Sequence, residues 1–285
     1  MKKIFLLFII LVLAGCQIQR LPEITNQNME NKNIQSPPSL EVKNKNMEIL
    51  TLYDNYLSSE ILVKNLETDW GFAALISFND YNLLFDTGTN GEILLSNMKK
   101  LKVNPESINS IVVSHDHYDH YGGLADFLTQ NNQVKIYVLS AETQIKDIAK
   151  KADTEIVEID QPFNIVYNIY TTGSLGIKIK EQSLILDTEK GLVVIAGCAH
   201  PGIVDIIISV KNQFPNKQLY LVMGGFHLFQ TSDFDIKKII EEFKNLGVQK
   251  VAPCHCSGDR TRELFREAYK DNFIENGVGK IIKVK

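Results

Sequence analysis

The chain has 285 residues, 44% of them hydrophobic and 22% charged, with 30 Lys and Arg against 34 Asp and Glu and a formal charge of −4. That acidic balance argues against nucleic acid or anionic lipid as the main partner. It leaves phosphorylated small molecules open, because bound metal ions can supply positive charge.

Met1-Lys2-Lys3 is a short basic start, followed by an almost wholly apolar run to Ala14 of about 11 residues, which is short of the ~20 a bilayer-spanning helix needs and suits the h-region of a signal peptide over residues 1–15. The run ends in Leu13-Ala14-Gly15-Cys16, which resembles a bacterial lipobox. The resemblance implies cleavage before Cys16, lipid on its thiol and amine, and attachment to a membrane. Several acyl chains anchor stably, at about 0.8 kcal/mol per buried CH₂. Residues 16–46 are rich in Asn, Gln, Lys and Glu, carry Pro22 and Pro37-Pro38, and read as the lipidated cysteine plus a flexible tether. The expected location is the bacterial cell envelope, with the folded domain outside the cytoplasm. Loss of Lys2 and Lys3 with the leader makes the mature chain more acidic still. Cys198, Cys254 and Cys256 then remain, an odd number for a disulfide framework, and they sit near histidines, which points to site chemistry.

Residues 47–285 read as one α/β domain of alternating strands and helices with hairpins. A first strand is expected over 48–57. The runs 73–78 and 82–85 flank a short polar turn, as a hairpin does, and the second runs into Asp86-Thr87-Gly88. Helical apolar spacing covers 92–101, opened by Asn90-Gly91. A strand over 110–114 then delivers Ser114-His115-Asp116-His117-Tyr118-Asp119-His120-Tyr121-Gly122-Gly123. Three of the chain's six histidines fall here, where an apolar run gives way to polar chemistry. His115 and His117, at i and i+2 of an extended chain, point to one side and can grip one metal ion. Asp119 and His120, on the turn into a helix over 121–129, can face a second ion. Gly122-Gly123 lets the backbone turn closely around the site.

The pattern His-x-His-x-Asp-His between a strand and a helix resembles the signature of the metallo-β-lactamase superfamily. The resemblance implies a four-layer αββα sandwich with mixed sheets and a dinuclear metal site. It implies hydrolysis in most members and redox or transfer chemistry in some. It also implies that Asp86 holds the metal-binding loop by hydrogen bonds and does not itself bind metal.

Further along, a strand over 134–139, a Lys-rich helix over 142–152 and strands over 155–160 and 163–170 are expected, then a hairpin of 184–186 and 192–196 around Glu189-Lys190-Gly191. Its second strand ends in Gly197-Cys198-Ala199-His200-Pro201-Gly202, before a helix over 203–213 whose first turn suits Pro201. His200 is the expected third ligand of the ion at His115 and His117; three protein ligands and an open position make a catalytic zinc-type site. A strand over 219–223 ends in Gly224-Gly225-Phe226-His227-Leu228. His227 thus reaches the same rim, as a ligand or as an acid or hydrogen-bond donor to substrate; the second is expected, because the ligand set fills without it. Ser232 caps a helix over 233–245 that Gly247 ends. A strand from Lys250 runs into Pro253-Cys254-His255-Cys256-Ser257-Gly258, where the superfamily resemblance implies a histidine for the second ion. Asp119, His120 and His255 are then that ion's protein ligands. Cys254-His255-Cys256 could itself bind zinc, but strand alternation turns His255 inward and packs the cysteines at the sides. A helix over 261–269 and a strand over 280–284 close the chain.

The runs Gly-Cys-Ala-His-Pro-Gly-Ile-Val, Gly-Gly-Phe-His-Leu and Pro-Cys-His-Cys-Ser-Gly, together with the histidine-rich motif, are similar to one branch of the superfamily over residues 70–258. That branch contains archaeal dihydropterin–ribofuranosylaminobenzene-phosphate synthase and bacterial metal-dependent hydrolases. An envelope lipoprotein is out of place in methanopterin biosynthesis, so the branch does not carry that reaction over. The chain departs from the broad superfamily where a Gly-Asp pair supplies a bridging aspartate: here it has Gly197-Cys198. Either Cys198 is a thiolate ligand or the bridge is water alone. The expected activity is hydrolysis of a small phosphoester, ester or lactone by water activated between two divalent ions, zinc first, with manganese and iron as alternatives. Asp119 helps orient the water, and His227 stabilises developing charge or protonates the leaving group. The rival readings are a pterin-synthase-like transferase displacing a phosphorylated leaving group, and a non-catalytic metal-binding lipoprotein of the envelope.

Overall fold

A computed structural model describes residues 47–60 and 62–284; the signal peptide, the lipidated Cys16 and the tether expected over 1–46 lie outside the described residues. Among the described residues two sheets form. The first contains β1 (Met47–Tyr53), β2 (Ala73–Phe78), β3 (Tyr81–Phe85), β4 (Ser110–Val112), β5 (Lys135–Val138), β6 (Glu155–Glu158) and the last strand β13 (Ile281–Val284), in the order β13-β1-β2-β3-β4-β5-β6. The second contains β7 (Phe163–Val166), β8 (Ile169–Thr171), β9 (Leu184–Thr188), β10 (Gly191–Ala196), β11 (Leu219–Gly225) and β12 (Lys250–Cys254), in the order β12-β11-β10-β9-β8-β7. Both sheets are mixed: hairpins pair antiparallel on one side, while β3 to β6 and β10 to β12 run parallel.

Each sheet is apolar on both faces. Ile76, Phe78, Leu83 and Phe85 of the first share a core with Leu184, Leu186, Val193, Ile195 and Met223 of the second. The outer face of the first sheet, with Leu75, Leu84, Ile111 and Ile136, packs on helices α1 (Gly91–Lys100), α3 (Leu124–Gln130) and α4 (Thr143–Lys151) through Leu94, Met98, Phe127 and Ile145. The outer face of the second packs on α5 (Ile203–Gln213), α6 (Asp233–Asn245) and α7 (Asp259–Tyr269) through Ile203, Ile207, Ile236, Phe243 and Phe265. The layers therefore run α, β, β, α, the sandwich the sequence resemblance implies. Burial on both faces explains why the parallel strands read as continuous apolar runs; each Leu, Ile or Phe so buried contributes about 1.5–3 kcal/mol. Among the described residues no helix is long and apolar enough to cross a membrane.

Three elements differ from their expected form. The helix expected over 121–129 is two pieces, α2 (Tyr118–Tyr121) and α3, because the Gly123 N–H leaves the helix to bond the Gly88 carbonyl at 3.1 Å. The run 163–170 is a hairpin of β7 and β8 that turns at Tyr167, whose φ is 43°. The first strand stops at Tyr53, because the Asp54 carboxylate takes the Tyr56 N–H at 2.9 Å and turns the chain. Capping follows expectation: Asn90 accepts from the N–H groups of Glu92 and Ile93, and Ser232 accepts from that of Asp235.

Glu142, just before α4, is 2% exposed. Its Oε2 accepts the Leu139 N–H at 2.9 Å, while burial pushes its pKa from 4.5 up to about 9. The folded state thus keeps a proton that the unfolded chain releases near 4.5, so stability from this group is full below that pH and drains away as pH rises toward 9. Glu142→Gln should remove this dependence. Urea titrations at pH 5 and pH 9 should show wild type losing on the order of a few kcal/mol more than the variant across the window.

Candidate metal centre

The parallel strands of both sheets deliver their C-terminal ends to one edge, the usual place for a ligand site in such sheets. β3 ends at Asp86, β4 leads to the segment Ser114–His120, β10 to Gly197–His200, β11 to His227 and β12 to His255.

Asp86 is wholly buried. Its Oδ1 accepts the Ser114 N–H at 2.7 Å, and its Oδ2 accepts the Ser114 hydroxyl at 2.8 Å and lies 2.7 Å from His120 Nδ1. With its hydrogen on Asp86, Ser114 Oγ accepts from His115 Nδ1 at 2.9 Å. On the second sheet's side, Asn55 Oδ1 lies 3.1 Å from His255 Nδ1. Three histidines are thus pinned through Nδ1–H, which fixes the ring orientation and aims each Nε2 into the site. His115 Nε2 is buried and, among the described residues, has no hydrogen-bond partner. An orphaned buried imidazole nitrogen is what a cation would satisfy.

The candidate ligand atoms fall into adjoining groups, each with its atoms within 4.8 Å of one another: His115, His117 and His200; Asp119, His120, Cys198 and His255; and Cys198, His200 and His227. Nitrogen or oxygen ligands about 2.0–2.1 Å from one tetrahedral ion lie roughly 3.3 Å apart. Here His117 Nδ1 and His200 Nε2 are 3.1 Å apart, and Asp119 Oδ2 is 3.3 Å from His255 Nε2 and 3.6 Å from His120 Nε2. The spacing and the donor set fit divalent metal. All six sequence-expected ligands, His115, His117, Asp119, His120, His200 and His255, meet here, with His227 at the exposed rim, its ring 4.3 Å from that of His200.

Electrostatics favour neutral imidazoles at His115 and His200. Burial, then the neighbouring histidines, holds His115 well below the ordinary range and pushes His200 down to about 3. Burial also opposes charge on His120, but Asp86 and Asp119 outweigh it and lift it to about 9, so an ion binding Nε2 displaces a proton. Burial works against the Asp119 carboxylate, yet hydrogen bonding to His255 and the charges of His120 and His255 hold it well below the carboxylate range. The Cys256 hydrogen bond raises His227 above its ordinary value.

One supporting residue gave no sequence signal. Glu181, in the polar stretch Lys180-Glu181-Gln182-Ser183, is 1% exposed. Its Oε1 accepts the N–H groups of Gly197, Cys198 and Ala199 at 3.1, 3.0 and 2.9 Å, and its Oε2 accepts that of His200 at 2.8 Å. Burial still pushes it up to about 7. Asn55 and Ser114 were also missed as positioning residues; a polar pair, Asp54-Asn55, closing an apolar run was the available clue. Gly122 and Gly123 serve close approach, not unusual φ: a Cβ at either would strike the carbonyl oxygen of Thr89 or Thr87.

The cysteines depart from the expected sideways packing. His255 has a φ of 47°, so the chain leaves strand geometry and alternation fails. Cys256 Sγ turns to the site, 3.3 Å from Cys198 Sγ, whereas Cys254 stays buried, 3.2 Å from Asn276 Nδ2.

The metallo-beta-lactamase superfamily model matches residues 71–212. The 7,8-dihydropterin-6-methyl-4-(beta-D-ribofuranosyl)-aminobenzene-5'-phosphate synthase of Methanocaldococcus jannaschii is 33% identical over 247 residues, covering 70% of this chain and 84% of its own. An uncharacterised protein of the same organism is 30% identical over 249 residues, covering 75% of this chain and 93% of its own. Among solved structures, a metal-dependent hydrolase of the beta-lactamase superfamily superposes with a TM-score of 0.72 at 26% identity, over 84% of this chain and 99% of that one. A metallo-beta-lactamase fold protein from Bacillus subtilis shares the fold at a TM-score of 0.64 and 15% identity, over 84% of this chain and 100% of that one.

Glu181→Ala should strip four backbone N–H groups of their acceptor. The expected cost is about 3–5 kcal/mol by denaturant titration, with less metal retained on purification. Unchanged stability and metal content would show that the turn holds itself.

Proposed function

We propose that this chain, which belongs to the metallo-β-lactamase superfamily, is a metal-dependent hydrolase of a small phosphoester, ester or lactone, holding two divalent ions in adjoining sites. The observation that carries the reading is the pair of adjoining ligand groups, His115, His117, His200 and Asp119, His120, Cys198, His255, at the strand ends of both sheets. Zinc suits the nitrogen-rich set best, with manganese and iron as alternatives. When bound, such ions supply Lewis acidity and lower the pKa of water toward neutrality.

The chain's own residues do the rest. Asp119, held as a carboxylate, accepts a hydrogen bond from the attacking water and orients it. His227 keeps its proton to higher pH than an ordinary histidine and sits at the rim, where it donates to the leaving group or to developing charge. Beside it lies a cavity of about 280 Å³ walled by Ile203, Val204, Phe226, Leu228 and Ile239, which suits an apolar part of the substrate. Trp70 tilts over His255 with ring centres 5.1 Å apart and meets Phe229 at 6.1 Å, narrowing the other side of the mouth.

Transfer is the second reading, favoured by one finding: the relative at 33% identity is named as a synthase. In that case an acceptor nucleophile, not water, attacks. Incubation with phosphodiesters, lactones and phosphomonoesters, with and without a nucleophilic acceptor, separates the two by product. Chelation should abolish turnover and re-added metal restore it, and His117→Ala should lower kcat/KM by roughly 100-fold or more. Full turnover in His117→Ala, or metal binding with no turnover of any of these substrates, would remove the hydrolase reading.

The leader Leu13-Ala14-Gly15-Cys16 supports an envelope location through lipid on Cys16. Cells fed labelled fatty acid should label the wild-type chain and not Cys16→Ser; label in both, or in neither, would overturn that location.

A further inference from the structure

We infer that Cys198 and Cys256 form a peroxide-responsive pair: oxidation at Cys198 ends in a disulfide between the two, which unloads the adjoining ion and which a thiol reductant reverses. The unloading rests on the reading above, in which Cys198 belongs to the second ligand group; the disulfide itself does not. Both cysteines are free and buried, and their Sγ atoms lie 3.3 Å apart, with the Cys256 S–H placed to donate to the Cys198 sulfur. A disulfide brings two sulfurs to about 2.05 Å. Closure therefore asks for roughly 1.3 Å of approach, a shift within the reach of two side-chain rotations.

The hydrolytic reading leaves Cys256 without a task. Among the described residues it joins none of the ligand groups, yet the φ of 47° at His255 turns its sulfur into the site. Gly225 makes room for it: a Cβ there would stand 2.7 Å from Cys256 Sγ and 3.2 Å from Cys198 Cα. Cys254, the other free thiol among the described residues, is engaged elsewhere, 3.2 Å from Asn276 Nδ2. Access comes through the site itself. Cys198 shares a ligand group with His200 and the exposed His227, so a small oxidant reaches the sulfur by the mouth that admits substrate.

The chemistry balances with hydrogen peroxide as the oxidant. The Cys198 sulfur attacks one peroxide oxygen, the O–O bond breaks, and the other oxygen leaves as water with the proton that the thiol gave up. Cys198 is then a sulfenic acid. The Cys256 sulfur attacks the Cys198 sulfur, the S–O bond breaks, and the hydroxyl leaves as water with the Cys256 proton. One peroxide thus becomes two waters while two thiols become one disulfide. The thiolate is the form of cysteine that binds metal, and a disulfide sulfur carries no negative charge, so the group of Asp119, His120, Cys198 and His255 loses hold of its ion. Without Cys256 the sulfenic acid meets further peroxide and passes to sulfinic acid, which thiol reductants do not reverse.

The test treats the full zinc-loaded chain with hydrogen peroxide, follows released zinc with a coloured chelator and assigns the cysteines by peptide mass mapping. Wild type should show a Cys198–Cys256 crosslink, release about one zinc per chain and rebind it after dithiothreitol. Cys256→Ser should hold zinc before oxidation, lose it on oxidation with Cys198 as sulfinic acid, and fail to regain it after dithiothreitol. Cys254→Ser should behave as wild type. The inference is overturned by thiols that stay reduced in excess peroxide, by a crosslink to Cys254, or by sulfinic acid at Cys198 of wild type. Full reversal in Cys256→Ser, or a disulfide that leaves all zinc bound, overturns it as well. Mapping of wild type decides even if a variant fails to fold. A wild type that carries no zinc before oxidation would overturn the metal-dependent reading, and the unloading with it, a result distinct from zinc retained by the disulfide.

Discussion

The carboxylate of Asp86 is the contact on which the site's first half depends. It stands at the end of β3, wholly buried, and reaches two neighbours in the next strand's loop. By accepting from Ser114 and His120 it settles where two protons sit, and through Ser114 it settles a third on His115 Nδ1. Three Nδ1–H···O contacts, counting that of His255 to Asn55, are what turn loop histidines into aimed donors of lone pairs. Without them each ring is free to rotate or to present the wrong nitrogen.

That aim is held by backbone that is itself under load. Asp86, Ala199, His227 and His255 have φ values of 60°, 62°, 53° and 47°, a region that non-glycine residues enter at a cost of about 1 kcal/mol or more each. All four lie at the ends of strands that deliver the site. The offsetting interactions are local: Glu181 gathers the N–H groups of the turn containing Ala199, and Asp54, which burial pushes up to about 6, approaches the His255 N–H at 3.4 Å. Sharp turns at these points bring consecutive residues, such as Cys254, His255 and Cys256, into three different environments within one short step.

Much of this was legible before any coordinates. Parallel strands buried on both faces appear as apolar runs that stop abruptly, and a histidine or aspartate stands within four residues of the end of β3, β4, β10, β11 and β12. Those stops marked the strand-end placement of His115, His117 and His200, while the sandwich and the meeting of Asp119, His120 and His255 at a second ion were implied by the motif's resemblance to the superfamily. Supporting groups were not. Glu181 acts on residues that follow it by 16 to 19 positions, and Asn55 acts on His255 across 200; nothing in a local polar stretch marks such partners. The inward turn of Cys256 was hidden for another reason, since alternation assumes an extended chain and His255 is not extended. Tyr167 concealed its hairpin likewise, as a bulky aromatic at positive φ.

The site draws its members from both sheets: His115, His117, Asp119 and His120 follow β4, while Cys198, His200, His227 and His255 follow strands of the other layer. An ion gripped from both sides acts as a rivet across the seam of the sandwich. Its affinity enters the folding equilibrium directly, adding about 1.4 kcal/mol for each tenfold excess of free ion over its dissociation constant. On the proposed reading, metal supply would set how tightly the two sheets are clamped at this edge, and scarcity would loosen it.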